Sequence, residues 1–344
     1  MLGIGIIGCG RIAQWRHMPE YANNPNARLA GFYDLDFGRA SEMAEKYGGT
    51  AYATVEALLA DPAIDAVSVC TANIAHASIS IAALEAGKHV LCEKPMATTP
   101  EDCEAMVAAA RKTGKFLMIA HNQRLDKVHV TAKALVDRGV IGRILTFRAS
   151  FAHSGPEFGA ADPAWFFDRQ RAAMGAMADL GVHKTDLIHY LTGQRVIRTT
   201  ARVTTLDKRD SAGNLVGVDD NAFCVFELSG GAMGTMTASW THYGPEENTV
   251  TLCGTGGILH LYEDPEYPLV VEQRSGERRC YDALAIWGDG DRGNSGVIDA
   301  WIDCLVHGRA PEISAESAVP AMRAVFASLE SSATGRTVEI PENR

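Results

Sequence analysis

Leu2-Gly3-Ile4-Gly5-Ile6-Ile7 is an apolar run that ends directly in Gly8-Cys9-Gly10-Arg11-Ile12-Ala13, a GxGxxA turn opening a helical stretch. In that spacing Gly8 permits a tight turn, Gly10 lets the backbone approach a pyrophosphate, and Ala13 is small enough for the helix to pack on the strand. The free N–H groups and positive dipole end of such a helix suit phosphates. A second apolar run ends at Asp34, the place about 20 residues on where an acid meets the adenosine ribose hydroxyls. The alternative for Asp34 is a plain strand-end or capping role. As a ribose ligand its charge repels a 2′-phosphate and favours NAD, while Arg39 nearby keeps NADP open.

Beyond this turn the first third of the chain alternates short apolar runs with amphipathic stretches. ARLAGFYD, AVSVCT, KHVLCE and KFLMIA read as strands; Arg39–Tyr47, Ala75–Ala86 and Pro100–Thr113 carry helical periodicity. Thr99 stands as N-cap and Pro100 at the first helical position of the last. Such alternation implies βαβ units and a mainly parallel sheet. Near Ala120–Asn122 the pattern changes, so the expected domains are 1–122 and 123–344. The second begins with helical stretches at Lys127–Arg138 and Met174–Leu191. Alternating runs follow (VIRTTARVTTL, AFCVFEL, AMGTMTASW, NTVTLCG, GILHLY), separated by Gly and Asp clusters that suit a largely antiparallel sheet. Helices near Ser295–Val306 and Glu316–Ser331 and a short strand at Val338–Ile340 close the chain.

Bulk properties narrow the class. A chain of 344 residues exceeds one ordinary core, and 47% hydrophobic with 22% charged residues is globular. The net charge of −10 argues against a nucleic-acid partner, which needs phosphate neutralisation. The eight cysteines are scattered without metal-ligand spacing, so no metal site is expected and a reducing, cytoplasmic setting is. The N-terminus lacks the form of a signal peptide, and no stretch reaches the roughly 18 apolar residues of a membrane span.

Two constellations carry chemistry. Thr71-Ala72-Asn73-Ile74-Ala75-His76 and Glu93-Lys94-Pro95 follow strands of the parallel set, at the carboxyl ends where open α/β sheets bind ligands. Pro95 restricts the backbone of Lys94, which aims its ammonium; a bland surface lysine is the alternative. Asp179-Leu180-Gly181-Val182-His183 lies inside the second helical stretch of the C-terminal part. At 3.6 residues per turn Asp179, His183, Asp186 and Tyr190 would share one face, with Lys184 the helix's single long basic residue. A solvated stripe is the plain reading. The interior Gly181, costing about 1 kcal/mol against alanine, suggests close approach of a ligand or another backbone. Histidine is the natural proton carrier near neutral pH, and an aspartate one turn away can orient it. Arg124, Trp165, His153 and Trp240 are candidate pocket residues, with core packing the alternative for each tryptophan.

Together GCGRIA, Asp34, TANIAH, EKP, GAMADLGVH and the tail SSATGRTVEI resemble the glucose–fructose oxidoreductase/inositol dehydrogenase/MocA (Gfo/Idh/MocA) family over nearly the whole chain. The resemblance implies a Rossmann domain followed by an α/β domain whose large, mostly antiparallel open sheet often mediates oligomers, here a homodimer or homotetramer. It implies a soluble NAD(P)-dependent oxidoreductase acting on sugars, polyols or their derivatives, with Lys94, Asp179 and His183 catalytic. The cofactor set is then Gly8, Gly10, Arg11, Ile12, Asp34, Thr71, Asn73, His76, Glu93 and Lys94. The substrate set is Lys94, Arg124, His153, Trp165, Asp179 and His183. Ala72, where proline is frequent, and His121-Asn122-Gln123-Arg124-Leu125, in place of an N-x-R-F-like segment, depart from the commonest pattern.

The implied mechanism moves a hydride between a carbinol carbon and nicotinamide C4. His183 would take the hydroxyl proton, Lys94 would stabilise the alkoxide, and Asp179 would position His183 beside the same nicotinamide. Two alternatives stand beside it: an NAD-dependent glycosidase with redox-neutral turnover, and a non-catalytic dinucleotide sensor that binds another protein.

Overall fold

The computed structural model describes residues 1–157, 164–282, 286 and 294–341. The chain divides into two compact units, one of residues 1–122, 170–173 and 294–319, the other of 123–169, 174–293 and 320–344.

The first unit is built on a six-stranded parallel sheet: β1 (Leu2–Ile7), β2 (Ala27–Tyr33), β3 (Thr50–Ala51), β4 (Ala66–Val69), β5 (His89–Cys92) and β6 (Leu117–Ile119). Its order is β3-β2-β1-β4-β5-β6, the doubly wound arrangement whose direction reverses between β1 and β4. The strands read as continuous apolar runs because helices cover a parallel sheet on both faces; Ile4, Ile6, Ile7, Val67, Val69, Val90 and Leu91 have 0% exposure. Local signals place the helices. Asp36 caps Phe37–Tyr47 through the N–H groups of Gly38 and Arg39, and Thr99 caps Pro100–Thr113 through that of Asp102. The unit is not a single stretch of sequence. Ile119 N–H donates to the Ile313 carbonyl at 3.0 Å, so residues beyond 294 return to the free edge of β6.

The second unit carries a nine-stranded sheet in the order β14-β13-β12-β11-β7-β10-β9-β8-β15. Its strands are β7 (Ile144–Ala152), β8 (Val196–Thr204), β9 (Asn221–Leu228), β10 (Met233–Ser239), β11 (Glu247–Gly254), β12 (Gly257–Leu261), β13 (Leu269–Gln273), β14 (Arg278–Tyr281) and β15 (Val338–Glu339). Every pairing is antiparallel except β7 with β10. The largely antiparallel open sheet expected from the alternating runs is present. β7, β13 and β14 add to those runs, and β7 is central.

The helical stretch expected at Met174–Leu191 is interrupted. It opens as a π turn at Met177–Gly181 and becomes α-helical at Val182–Thr192. A π turn is wider than an α turn, so Asp179 leaves the 3.6-residue register that would align it with His183 and Asp186. Gly181 finds its reason in packing. A Cβ there would lie 2.7 Å from Met177 Sδ and 3.4–3.5 Å from Met236 and Ala238 of β10. The helix is not a solvated stripe: every residue from Val182 to Ile188 is buried, Lys184 included.

Candidate active site

In the first unit the turn after β1 is shaped for a nucleotide. Gly8 has φ +91°, and a Cβ on it would strike the Cys70 carbonyl oxygen of the neighbouring strand end at 2.7 Å. A Cβ on Gly10 would meet nothing within 4 Å, so the backbone there borders open space, as a pyrophosphate requires. Asp34, at the end of β2, accepts the Cys9 N–H at 2.7 Å through Oδ2. Its Oδ1 accepts Arg39 at 3.1 Å and the Asp36 N–H at 2.9 Å. The carboxylate therefore braces the phosphate turn as well as standing where a ribose ligand belongs. Arg11 is exposed, its guanidinium 5.9 Å from the Trp15 ring, and Ile12 is half-buried. These residues fit a dinucleotide.

The loops after β4 and β5 are tied together. His76 places Nδ1 2.8 Å from the Pro95 carbonyl and Nε2 3.1 Å from that of Thr71, and the ring is 1% exposed. Burial lowers its pKa although both carbonyls favour the protonated ring. His76 is thus a strut that ties the two loops together. Asn73 donates to the Ala172 carbonyl at 2.9 Å. Thr71 is half-buried. Glu93 is buried and Lys94 half-buried. Burial alone would raise the Glu93 carboxyl. The hydrogen bond and charge of His17, with the charges of Arg16 and Lys94, outweigh it and hold the group at about 2.

In the second unit Asp219 accepts the N–H groups of Gly175 and Met177, each at 2.7 Å, and so fixes the entry to the π turn that carries Asp179. Trp240, expected as pocket or core, has 0% exposure and donates its indole N–H to Asp179 Oδ2 at 3.1 Å. His153 Nε2 lies 3.9 Å from the same oxygen. Because the Gly155 N–H donates to His153 Nδ1 at 2.9 Å, the neutral ring carries its proton on Nε2, toward Asp179. His183 is 7% exposed, with its ring centroid 6.1 Å from that of Phe151, and the His153 ring centroid is also 6.1 Å from that of Phe151. The structure therefore groups Asp179, His153, His183 and Phe151.

Two of the expected substrate residues, Arg124 and Trp165, make contacts within the protein. Arg124 engages Asp186 through Nε at 2.7 Å and through Nη2, a fork-to-carboxylate pair buried on both sides. This pair anchors the helix that carries His183. Trp165 is half-buried and packs on Phe166 with centroids 4.0 Å apart. Phe151, the His17–Glu93 pair and the Arg124–Asp186 pair are absent from the sequence-based site. Each joins residues distant along the chain, and single-sequence spacing carries no signal for such pairs. Among the described residues no group of three or more His, Cys, Asp or Glu could hold a metal, and no helix is long and apolar enough to cross a membrane.

Comparison with known proteins fits this picture. Residues 2–121 match the oxidoreductase family with NAD-binding Rossmann fold, and residues 129–260 match the GFO/IDH/MocA C-terminal domain. Levoglucosan dehydrogenase of Pseudarthrobacter phenanthrenivorans is 32% identical over 65% of this chain and 62% of its own length, so the match spans under two thirds of that relative. Myo-inositol 2-dehydrogenase of Thermotoga maritima is 27% identical over 98% of both chains. The solved structure of levoglucosan dehydrogenase in complex with NADH and levoglucosan superposes with a TM-score of 0.88 at 26% identity, covering 99% of this chain and 100% of that one. With the Gly8–Ala13 turn in an NAD-binding Rossmann unit and the π turn of Asp179 on the nine-stranded sheet, this chain belongs to the Gfo/Idh/MocA family of oxidoreductases.

Proposed function

We propose that the protein is an NAD-dependent dehydrogenase that oxidises a secondary hydroxyl of a sugar, a polyol or a derivative of one. The observation that carries this reading is the Asp179, His153 and His183 group beside the Phe151 ring, in a chain that also holds the Gly8–Ala13 turn. Aromatic faces beside imidazole and carboxylate groups suit sugar rings and their hydroxyls. Relatives named for inositol and levoglucosan support the substrate class.

Bound NAD supplies a nicotinamide ring that accepts hydride. Gly8, Gly10 and the helix start after them would hold its pyrophosphate, and Asp34 its adenosine ribose. His183 takes the hydroxyl proton, and the Lys94 ammonium stabilises the developing alkoxide. Asp179, kept in place by Trp240, favours the positive charge that arrives on the imidazole. In the reductive direction His183 returns the proton. Acid–base help of this type contributes roughly 10²–10⁴-fold.

The test is a panel of sugars and polyols with NAD and with NADP, followed by nicotinamide absorbance and repeated with His183→Ala and Lys94→Ala. Turnover with at least one polyol or sugar, lost in both variants while NAD still binds, is the expected result. Full turnover in His183→Ala would remove that residue from the reaction. Product formation without net NADH would point to the glycosidase chemistry instead.

A further inference from the structure

His17 lies outside both constellations that the sequence singles out, yet it has 0% exposure and two polar partners. The helix that opens at the phosphate turn begins with a π turn, Ala13–His17, and only then becomes α-helical at Met18–Asn23. His17 closes that π turn and points into the sheet. Its Nε2 is 2.9 Å from Glu93 Oε1, and its Nδ1 is 3.2 Å from Ser68 Oγ on β4. Ser68 is held in turn by Tyr21 OH at 2.8 Å, one helical turn beyond His17. The other oxygen of Glu93 accepts the backbone N–H of Lys94 at 3.1 Å. The chain of contacts thus runs from the phosphate-binding helix through His17 and Glu93 to the backbone of Lys94, all inside the first unit.

A buried carboxylate is costly unless paired and hydrogen-bonded. An apolar pair of similar volume would fill this space without that cost, so packing does not explain a histidine and a glutamate here. π turns in α-helices are frequent at functional sites, where the extra residue redirects a side chain. From the pair the hydrogen bonds lead on to the backbone of Lys94, whose half-buried side chain reaches outward.

We infer that His17 is a positioning residue for Lys94, acting through Glu93 to fix the backbone from which the Lys94 ammonium projects. This rests on the reading of Lys94 given under the proposed function. His17 touches neither substrate nor cofactor in this role. It sets where the ammonium stands. A displacement of about 1 Å at such a group can cost about 10²-fold in rate.

The experiment compares His17→Leu, which fills the volume without polar atoms, with His17→Gln, which keeps a donor for Glu93. Lys94→Ala serves as reference, and each variant is measured with a substrate identified from the sugar and polyol panel. In His17→Leu the expected fall in kcat is about 10–100-fold, with KM and NAD affinity within about threefold; His17→Gln recovers most of the loss. A second readout needs no turnover: the rate at which Lys94 is labelled by pyridoxal phosphate with borohydride, read by peptide mass in the full-length protein. Loosening of the loop in His17→Leu should raise that rate several-fold, and His17→Gln should restore it. Unchanged labelling together with unchanged kcat in His17→Leu overturns the inference. So does a loss that His17→Gln fails to recover, because that marks general destabilisation. If Lys94→Ala itself turns over normally, the proposed role of Lys94 falls, while the labelling rate still decides whether His17 governs its position. If His17→Leu does not fold, labelling and kcat in His17→Gln and Glu93→Gln carry the decision.

Discussion

The indole N–H of Trp240 donates to Asp179 Oδ2 across 3.1 Å, from a ring with no exposed surface. Asp179 sits on a π turn whose own backbone is held by Asp219. The carboxylate is therefore fixed from two sides, by its main chain and by a rigid donor that cannot move to water. Hydrogen bonds to charged groups are worth about 1.5–3 kcal/mol, so this one is a sensitive point of the site.

Trp240→Phe keeps most of the ring volume and removes the donor. The expected result is a loss of about tenfold in kcat, which corresponds to about 1.4 kcal/mol, with NAD affinity unchanged. Steady-state kinetics and a NAD titration check this together. Wild-type kcat in a folded Trp240→Phe protein would show that Asp179 does not depend on the indole.

Asp34 is bonded to Arg39 at 3.1 Å and to the Cys9 N–H at 2.7 Å. Asp34→Ser removes the negative charge, releases Arg39 and keeps a small polar side chain at the end of β2. A released guanidinium suits a 2′-phosphate through charge-assisted, forked bonds. The ratio of kcat/KM for NAD to that for NADP should therefore fall at least tenfold. Adding Arg39→Ala should abolish the NADP gain. An unaltered ratio in Asp34→Ser would leave Asp34 as a loop brace only.

What the sequence discloses is local. The Gly8–Ala13 turn, the Thr99 cap and the strand–helix alternation of the first unit are spelled by neighbouring residues, so they are legible without a structure. The nine-stranded sheet is partly legible, through alternation in β8 to β12. β7 is harder to see because its burial pattern breaks strict alternation twice, at Leu145–Thr146 and at Ser150–Phe151. The two π turns leave no compositional mark, since one added residue per turn suits the same residue types. Pairs such as Arg124 with Asp186 and His17 with Glu93 depend on chain separations of 62 and 76 residues, which only the fold brings together. Lys184 stands in the sequence as the helix's single long basic residue, and the structure gives it 0% exposure, which no neighbouring residue foretells.

The outward side of the nine-stranded sheet bears exposed apolar groups: Phe223 and Val225 on β9, each 47% exposed, and Met233 on β10 at 50%. The register sets Thr235 opposite Val225 and Thr237 opposite Phe223, so these side chains form one face. Exposed apolar side chains set among polar ones such as Glu227, Thr235 and Arg202 on an open sheet face suit an interaction site, and symmetric self-pairing is the usual solution. The wild-type protein should sediment as a dimer or tetramer, and Val225→Glu with Met233→Glu should reduce it to one chain without loss of fold. A wild-type monomer at micromolar concentration would remove this face from any assembly.

Lys184 offers the clearest dependence of stability on pH. Its Nζ is buried, has no hydrogen-bond partner among the described residues, and lies 5.8 Å over the Phe151 ring. Burial pushes its pKa down from about 10.5 to about 7, against the upward pull of Glu246, Asp126 and Glu247. The unfolded chain keeps the proton up to the ordinary value, whereas the folded chain has given it up above about 7. Between these values the unfolded state binds more protons, so stability rises with pH through that window. Below it both states are protonated and the full penalty of the buried ammonium remains. Lys184→Met fills the same space without a charge. It should raise Tm at neutral pH, by roughly 2–4 °C for each kcal/mol in a domain of this size, and flatten the rise in stability between pH 7 and 10.5. Thermal melts of both proteins across that range measure the effect. An equal or lower Tm for Lys184→Met at pH 7, with the slope unchanged, would show that the amine is accommodated by groups able to stabilise its charge.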